Sequence, residues 1–361
     1  MIDKGQYKSA LNISSGVEQP NYISEEAIKK IKNIKKKISV NDYITGILNE
    51  NISILSQAIT LIESSLPQHQ VIAQQIIEKC QEYSGNSVRI GITGVPGVGK
   101  STFIEALGLY ILQKGKKLAI LAIDPSSEKS KGSILGDKVR MEKLSTEANV
   151  YIRPTPSSGS LGGVANKTRD TIILCEAAGF DTIFIETVGV GQSEVAVNSM
   201  VDFFLLLMLS GAGDELQGIK RGIMEMADSI VINKADGFNI NKAELAKVQY
   251  QNALHFFLPP DSGFFPKVLT CSAIDGSGID IVWDNILDYL TFTKKNNYFF
   301  EKRKKQAKYW MYETINQRLK DNFFNNKALK KQIESLEKKV TEGKISSYNA
   351  AKILLNEYFK V

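Results

Sequence analysis

The residues with the most specific chemistry lie at 94–101, where the chain reads Gly94-Val95-Pro96-Gly97-Val98-Gly99-Lys100-Ser101, followed by Thr102. Glycines at the first and sixth places, then a lysine and a hydroxyl residue, form a loop whose backbone N–H groups can turn inward around a polyphosphate. Side chains at those glycines would block so close an approach. In such a loop the lysine reaches the β- and γ-phosphates and the serine hydroxyl ligates Mg²⁺. Lys100 and Ser101 are therefore expected in those two roles. The flanks agree: the apolar run RIGIT precedes the loop and the helical pattern TFIEALGLYILQKG follows it.

A second cluster selects the base. Asn233-Lys234-Ala235-Asp236 directly follows the apolar run SIVI. A carboxylate at Asp236 can accept from both guanine N1–H and the exocyclic amino group. Adenine offers no such pair of donors, so the carboxylate would be left unpaired and ATP rejected. Asn233 braces the loop and reaches the base, and the aliphatic stem of Lys234 covers a base face. Further on, KVLTC runs into Ser272-Ala273-Ile274, the expected last contact with guanine. Together the three signals predict GTP rather than ATP.

Two carboxylates end apolar runs, Asp124 in LAILAID and Glu186 in DTIFIE. An open α/β sheet binds its ligands at the carboxyl ends of its strands. Glu186 opens Glu186-Thr187-Val188-Gly189, where small GTPases carry D-x-x-G. It is expected to hold Mg²⁺ through a water, with the Gly189 N–H sensing the γ-phosphate. Asp137, on the loop KGSILGD, is a further candidate metal ligand, beside Ser101, Asp124 and Glu186. No glutamine stands where Ras-type enzymes orient the attacking water, and Asp124 is the candidate for that task as well. No arginine finger is identifiable. Slow intrinsic turnover is expected, rising when a partner completes the site.

The elements that position these residues follow from period and punctuation. Seven short apolar runs (SVRIGIT, KLAILAID, NVYIRPT, DTIFIET, DFFLLLML, SIVINKAD and KVLTCSA) alternate with helical stretches. That pattern predicts βαβ units and a mostly parallel sheet covered by helices on both faces. Upstream, residues 24–64 read as helical with Ser24 as N-cap, Leu66-Pro67 breaks the pattern, and a helix covers about 68–84. Downstream of Gly278 the chain is helical again, with breaks at Gly343 and a start at Ser346-Ser347. The expected organisation is an N-terminal helical extension over 1–85, an α/β core over 86–280 and a C-terminal helical region over 281–361.

Bulk properties narrow the class. The 361 residues are 43% hydrophobic and 23% charged, with net charge +6. A mild basic excess without a dominant block does not predict nucleic-acid binding. Cys80, Cys175 and Cys271 are odd in number and far apart, which reads as reduced thiols in a cytoplasmic protein. Two histidines, His69 and His255, exclude a multi-histidine metal site. The first twenty residues match neither a secretory signal nor a transit peptide. The run FFLLLML at 203–209 is too short for a bilayer and reads as a buried central strand. The lysines of KKIKNIKKK at 29–37 and of EKRKKQAKYW at 301–310 read as the solvated side of packed helices. Tyr309 and Trp310 are candidates for a dimer interface.

Beyond the nucleotide motifs, DPSS at 124–127, ETVGVGQSE at 186–194 and SGAGDELQGIKRGIMEMAD at 210–228 resemble the MeaB/ArgK-type G proteins, the GTPases associated with methylmalonyl-CoA mutase. The resemblance runs from about residue 44 through the core. It implies a P-loop GTPase fold, a homodimer built through the C-terminal helices, and an adenosylcobalamin-dependent acyl-CoA mutase as partner. GTP binding and hydrolysis would gate delivery of cofactor to that mutase and protect it. The family's switch segments map onto 124–142, 186–198 and 211–222. Lys220 in the third would contact the nucleotide region or the partner during activation. The chain lacks the D-x-H-x-x-G element of cobalamin domains. Alternative readings are a P-loop kinase linked to amino-acid transport and a nickel metallochaperone GTPase, the latter disfavoured by the absence of histidine or cysteine clusters.

Overall fold

In the computed structural model, residues 38–124, 141–156, 161–187, 193–211 and 221–359 are described. From Val40 onward they belong to one compact unit. Met1–Ser39 form a second unit, of which only residues 38 and 39 are described. The lysine run at 29–37 and the Ser24 cap lie outside the described residues.

Seven strands form one parallel sheet, as the alternation predicted. They are β1 (Val88–Gly94), β2 (Leu118–Asp124), β3 (Val150–Pro156), β4 (Thr182–Thr187), β5 (Phe203–Leu209), β6 (Ser229–Asn233) and β7 (Lys267–Thr270), in the order β3-β2-β4-β1-β5-β6-β7. The order reverses at β1, which lies between β4 and β5. That is the topological switch point at which such sheets open a crevice.

Both faces of the sheet are covered, so successive residues of one strand enter different cores. Leu205 and Leu207 of β5 face α4 (Lys100–Gln113) and α10 (Ile279–Lys295). Leu206 and Met208 face a core with α8 (Arg221–Met226) and α9 (Ile240–Leu254). This double burial explains the uninterrupted apolar run of β5. Each fully buried Leu or Phe there contributes roughly 1.5–3 kcal/mol relative to an exposed one. On the second face, α6 (Leu161–Ala177) packs on β2 and β3, and α7 (Ser193–Asn198) on β4 and β1. The short α5 (Glu142–Ser145) closes against α4 and β3.

The N-terminal helical stretch is divided where the sequence pattern looked continuous. α1 (Val40–Leu48) ends, Glu50 takes a left-handed φ of 58°, and Asn51 caps α2 (Ile52–Glu63) by accepting from the N–H groups of Ser53 and Ile54. Asn at a cap satisfies two donors that would otherwise be orphaned. Pro67 then opens α3 (Pro67–Cys80) at its first turn, where a missing N–H is harmless. α1–α3 pack on one another and on α6. Downstream come the long α11 (Tyr298–Phe324), α12 (Lys327–Thr341) and α13 (Ser347–Tyr358), the last capped by Ser346 as expected.

α11 corrects one expectation. Lys302 and Arg303 are not on a solvated face. They pair with Asp228 and Asp202, the acids that precede β6 and β5. Trp310 is 3% exposed and packed within the chain, whereas Tyr309 is 44% exposed. Among the described residues no helix is long and apolar enough to cross a membrane.

Candidate functional site

The phosphate loop leaves the carboxyl end of β1 and enters α4. Gly94 ends the strand beside Leu207 of β5, and a Cβ there would stand 2.5 Å from the Leu207 carbonyl oxygen. Gly99 caps α4 with a left-handed φ of 89°, and a Cβ would stand 3.0 Å from Asn233 Nδ2. Gly97 has φ 79° and open space around its absent Cβ. Two of these glycines thus answer to close neighbours and one to conformation. Val98 is fully buried and anchors the loop, while Pro96 and Gly97 are exposed. Ser101 and Thr102 fall in the first turn of α4. Lys100 Nζ donates to the carbonyls of Gly94 (2.8 Å) and Val95 (3.3 Å). Burial lowers the pKa of the Lys100 ammonium, and the carboxylates of Glu186 and Glu194 oppose that shift.

The base loop meets the phosphate loop directly. Asn233, 2% exposed, donates from Nδ2 to Val98 O (2.9 Å) and accepts at Oδ1 from Ala273 N–H (3.2 Å). Lys234, in a left-handed conformation (φ 60°), donates to Gly97 O at 2.9 Å. One Asp236 carboxylate oxygen accepts from Ser272 Oγ at 2.7 Å. Three loops at the ends of β1, β6 and β7 are therefore stitched together by side chains from one tetrapeptide. Ile274 is 80% exposed at the outer edge of this group.

Glu186 lies on β4 in register with Ile92 of β1 and Ala122 of β2, so its carboxylate belongs to the same edge of the sheet. Next to it the Thr187 hydroxyl donates to Thr93 Oγ1 at 2.8 Å, a buried bond tying β4 to β1 below the phosphate loop. The backbone of Asp124 ends β2, the neighbouring strand; its side chain lies outside the described residues. Asp137, Gly189 and Lys220 also lie outside them, as do most of the first and third switch segments and residues 188–192 of the second. Among the described residues no group of three His, Cys, Asp or Glu side chains is arranged to hold a metal. The three cysteines are free and buried.

Sequence reasoning gave two residues no role of their own. Ser193 and Glu194, at the head of α7, are each 1% exposed, and Glu194 acts on the Lys100 ammonium. Their sequence signal was their place at the end of ETVGVGQSE, within the second switch segment, with no role attached to either side chain.

A parallel sheet with a phosphate loop after its central strand, and an N-K-x-D loop bonded to it from two strands away, is the architecture of a P-loop GTPase. Residues 55–328 match the family described as methylmalonyl Co-A mutase-associated GTPase MeaB, and the chain belongs to that family. A putative GTPase of Caulobacter vibrioides is 49% identical over 301 residues, spanning 83% of this chain and 92% of its own length. The mitochondrial methylmalonic aciduria type A homolog of Mus musculus is 42% identical over 334 residues, 90% of this chain and 80% of its own. The solved structure of a LAO/AO transport system kinase is similar with TM-score 0.71 and 34% identity, covering 91% of this chain and 100% of that one. The chain is a guanine-nucleotide-binding enzyme that hydrolyses GTP.

Proposed function

We propose that the chain is a GTP-driven chaperone that gates adenosylcobalamin delivery to an acyl-CoA mutase of the methylmalonyl-CoA type and protects that mutase. It acts in the cytoplasm as a homodimer. The mutase association rests on the family description and on the name of the mouse relative. The observation that carries the nucleotide reading is the junction of Asn233, Lys234 and Asp236 with the phosphate loop and Ser272.

In this reading residues 94–102 clasp the phosphates, and Lys100 exchanges its two loop carbonyls for the β- and γ-phosphate oxygens. Asp236 selects guanine, Lys234 lies along the base, and Ser272, Ala273 and Ile274 close around it. The candidate metal ligands are all oxygen donors: the Ser101 hydroxyl with the carboxylates of Asp124, Asp137 and Glu186. Such a set fits Mg²⁺, which keeps several waters and takes one or two carboxylates beside phosphate oxygens. Bound there, Mg²⁺ would neutralise charge developing on the phosphates. Asp124 orients the attacking water, Gly189 senses the γ-phosphate, and Lys220 responds on the third switch segment. Hydrolysis is then positioning and charge neutralisation, with little covalent work for the protein.

The test is capture of the native partner by the chain loaded with GDP and, separately, with a non-hydrolysable GTP analogue. Nucleotide-dependent retention of a cobalamin mutase is the expected result; a partner of another class would overturn the mutase role. The base assignment has its own test. Asp236→Asn should weaken GTP by about 10–100-fold and improve xanthosine triphosphate, because the amide can donate to the O2 that replaces the amino group. Unchanged guanine preference would refute it. The name of the solved relative supports a second reading, a phosphoryl-transferring kinase. Preference for ATP in a nucleotide panel would favour it.

A further inference from the structure

The turn that closes α7 is held by side chains of a single helix. Gln306 Nε2 donates to Val201 O (2.8 Å) and Asn198 O (3.4 Å), and Trp310 Nε1 donates to Ser199 O (3.0 Å). Lys302 Nζ donates to Asp202 O (3.0 Å), and Arg303 forks onto both Asp202 carboxylate oxygens at 2.7 Å each. Positions 302, 303, 306 and 310 share one face of α11 at helical spacing. The backbone carbonyls of residues 198, 199, 201 and 202 are thus all accounted for by α11.

The turn has little freedom on its other side. Asp202 exchanges bonds with Arg89 of β1, through its own N–H to Arg89 O (2.8 Å) and its carboxylate from Arg89 N–H (2.9 Å). Val197 and Val201 lie over Gly91 of the same strand, where a Cβ would stand 2.9 Å and 3.2 Å from them. α7 has only six residues. A helix so short, fixed at its tail, cannot place its head independently. That head carries Ser193 and Glu194. Both are buried, and the Ser193 hydroxyl has no hydrogen-bond partner among the described residues. Because α7 leads from the carboxyl end of β4 back to the start of β5, with Val197 over Gly91, its head lies at the edge of the sheet where β1 passes into the phosphate loop.

We propose that Gln306 and Trp310 are positioning residues for GTP hydrolysis. By fixing the tail of α7 they fix where Ser193 and Glu194 stand relative to Lys100 and the γ-phosphate. The inference rests on the GTPase reading of the same site. It separates two properties that share that site. Guanine and the two inner phosphates rest on loops hung from β1, β6 and β7 and bonded to one another. Cleavage of the outer phosphate also needs the α7 head in register, and errors of about 1 Å in such placement lower rates by about 100-fold.

The experiment compares Trp310→Phe, which keeps an apolar ring but removes the N–H, and Gln306→Leu, which removes both amide bonds at similar volume. The control is Arg318→Ala, on the same helix but donating to Gln74 of α3. GDP affinity is read with a fluorescent analogue and hydrolysis by single turnover at saturating GTP. The expected result is a rate about tenfold lower or more in both variants, GDP affinity within about twofold of wild type, and a control that matches wild type. In a Glu194→Gln background, Trp310→Phe should slow the reaction by much less, since residues acting as a unit are non-additive. Rates equal to wild type, a parallel loss of GDP affinity and rate, or an equal slowing by Arg318→Ala would each overturn the proposal. A wild-type chain that bound no guanine nucleotide would overturn the nucleotide reading with it. One that hydrolysed GTP while the variants kept pace would overturn the positioning role alone.

Discussion

At the scale of single residues, Asn233 and Lys234 are neighbours with different duties. Asn233 is buried and uses both ends of its amide, donating to Val98 O and accepting from Ala273 N–H. Asn233→Ala would strand the buried Val98 carbonyl, worth about 1–3 kcal/mol, and the half-buried Ala273 N–H, worth about 1 kcal/mol. It should lower unfolding free energy by about 2–4 kcal/mol and weaken GDP as well. Lys234 is exposed, and its side chain donates to Gly97 O. Lys234→Met keeps the apolar stem and should weaken GDP by about tenfold with little change in stability. Urea unfolding beside a fluorescent-GDP titration checks the pair; equal stability losses in the two variants would contradict the division. The bracing role of Asn233 was legible in the sequence because N-K-x-D fixes residue types at fixed offsets from a strand end. Ser193 and Glu194 stood in ETVGVGQSE, but their individual roles were not legible, since what marks them is burial, and a serine beside a glutamate ordinarily reads as surface.

Elements were legible where periodicity alone determines them. Each of the seven runs became a strand; the central ones, such as β5, are apolar throughout because both faces of the sheet are covered, while β3 and β7 at the edges carry Arg153 and Lys267. The pattern failed where structure depends on what meets what. The helical run over 40–64 divides at Glu50 and Asn51, since a left-handed residue and an Asn cap compete with continuation. The basic run at 301–310 contains both solvated and inward cations. Only the fold brings Asp202 and Asp228, the residues before two strands, under Lys302 and Arg303. Gly91 is a similar case: inside a strand pattern it marks a close approach. Gly91→Ala would drive a methyl to 2.8 Å from Phe204 and 2.9 Å from Val197. Overpacking of this kind costs about 1–3 kcal/mol and should push α7 off the sheet. The expected result is a lower urea midpoint together with slower GTP hydrolysis. A stability loss with full hydrolysis would separate α7 from the reaction.

For the whole molecule, the three thiols give stability a particular dependence on pH. Cys80 and Cys175 are fully buried on α3 and α6, which pack together, and Cys271 is 2% exposed just past the end of β7. Burial pushes Cys80 up to about 11 and Cys271 up to about 12, and raises Cys175 as well. An unfolded thiol titrates near 8.5. Below that value both states are protonated and the thiols leave stability unchanged. Above it the unfolded chain loses protons that the folded chain retains, so stability falls as pH rises. The slope is about 1.4 kcal/mol per pH unit for each thiol, or about 4 for three. The fall from each thiol stops only when its folded pKa is passed. Urea unfolding at pH 7, 8, 9 and 10 should therefore show a plateau and then a steepening decline. Cys271→Ala should make the decline between pH 9 and 10 shallower by about 1 kcal/mol per pH unit, whatever it costs at pH 7. Were the decline equally steep in that variant, the thiol would already be ionised in the fold, and the packing around the base loop would be looser than the burial of Cys271 requires.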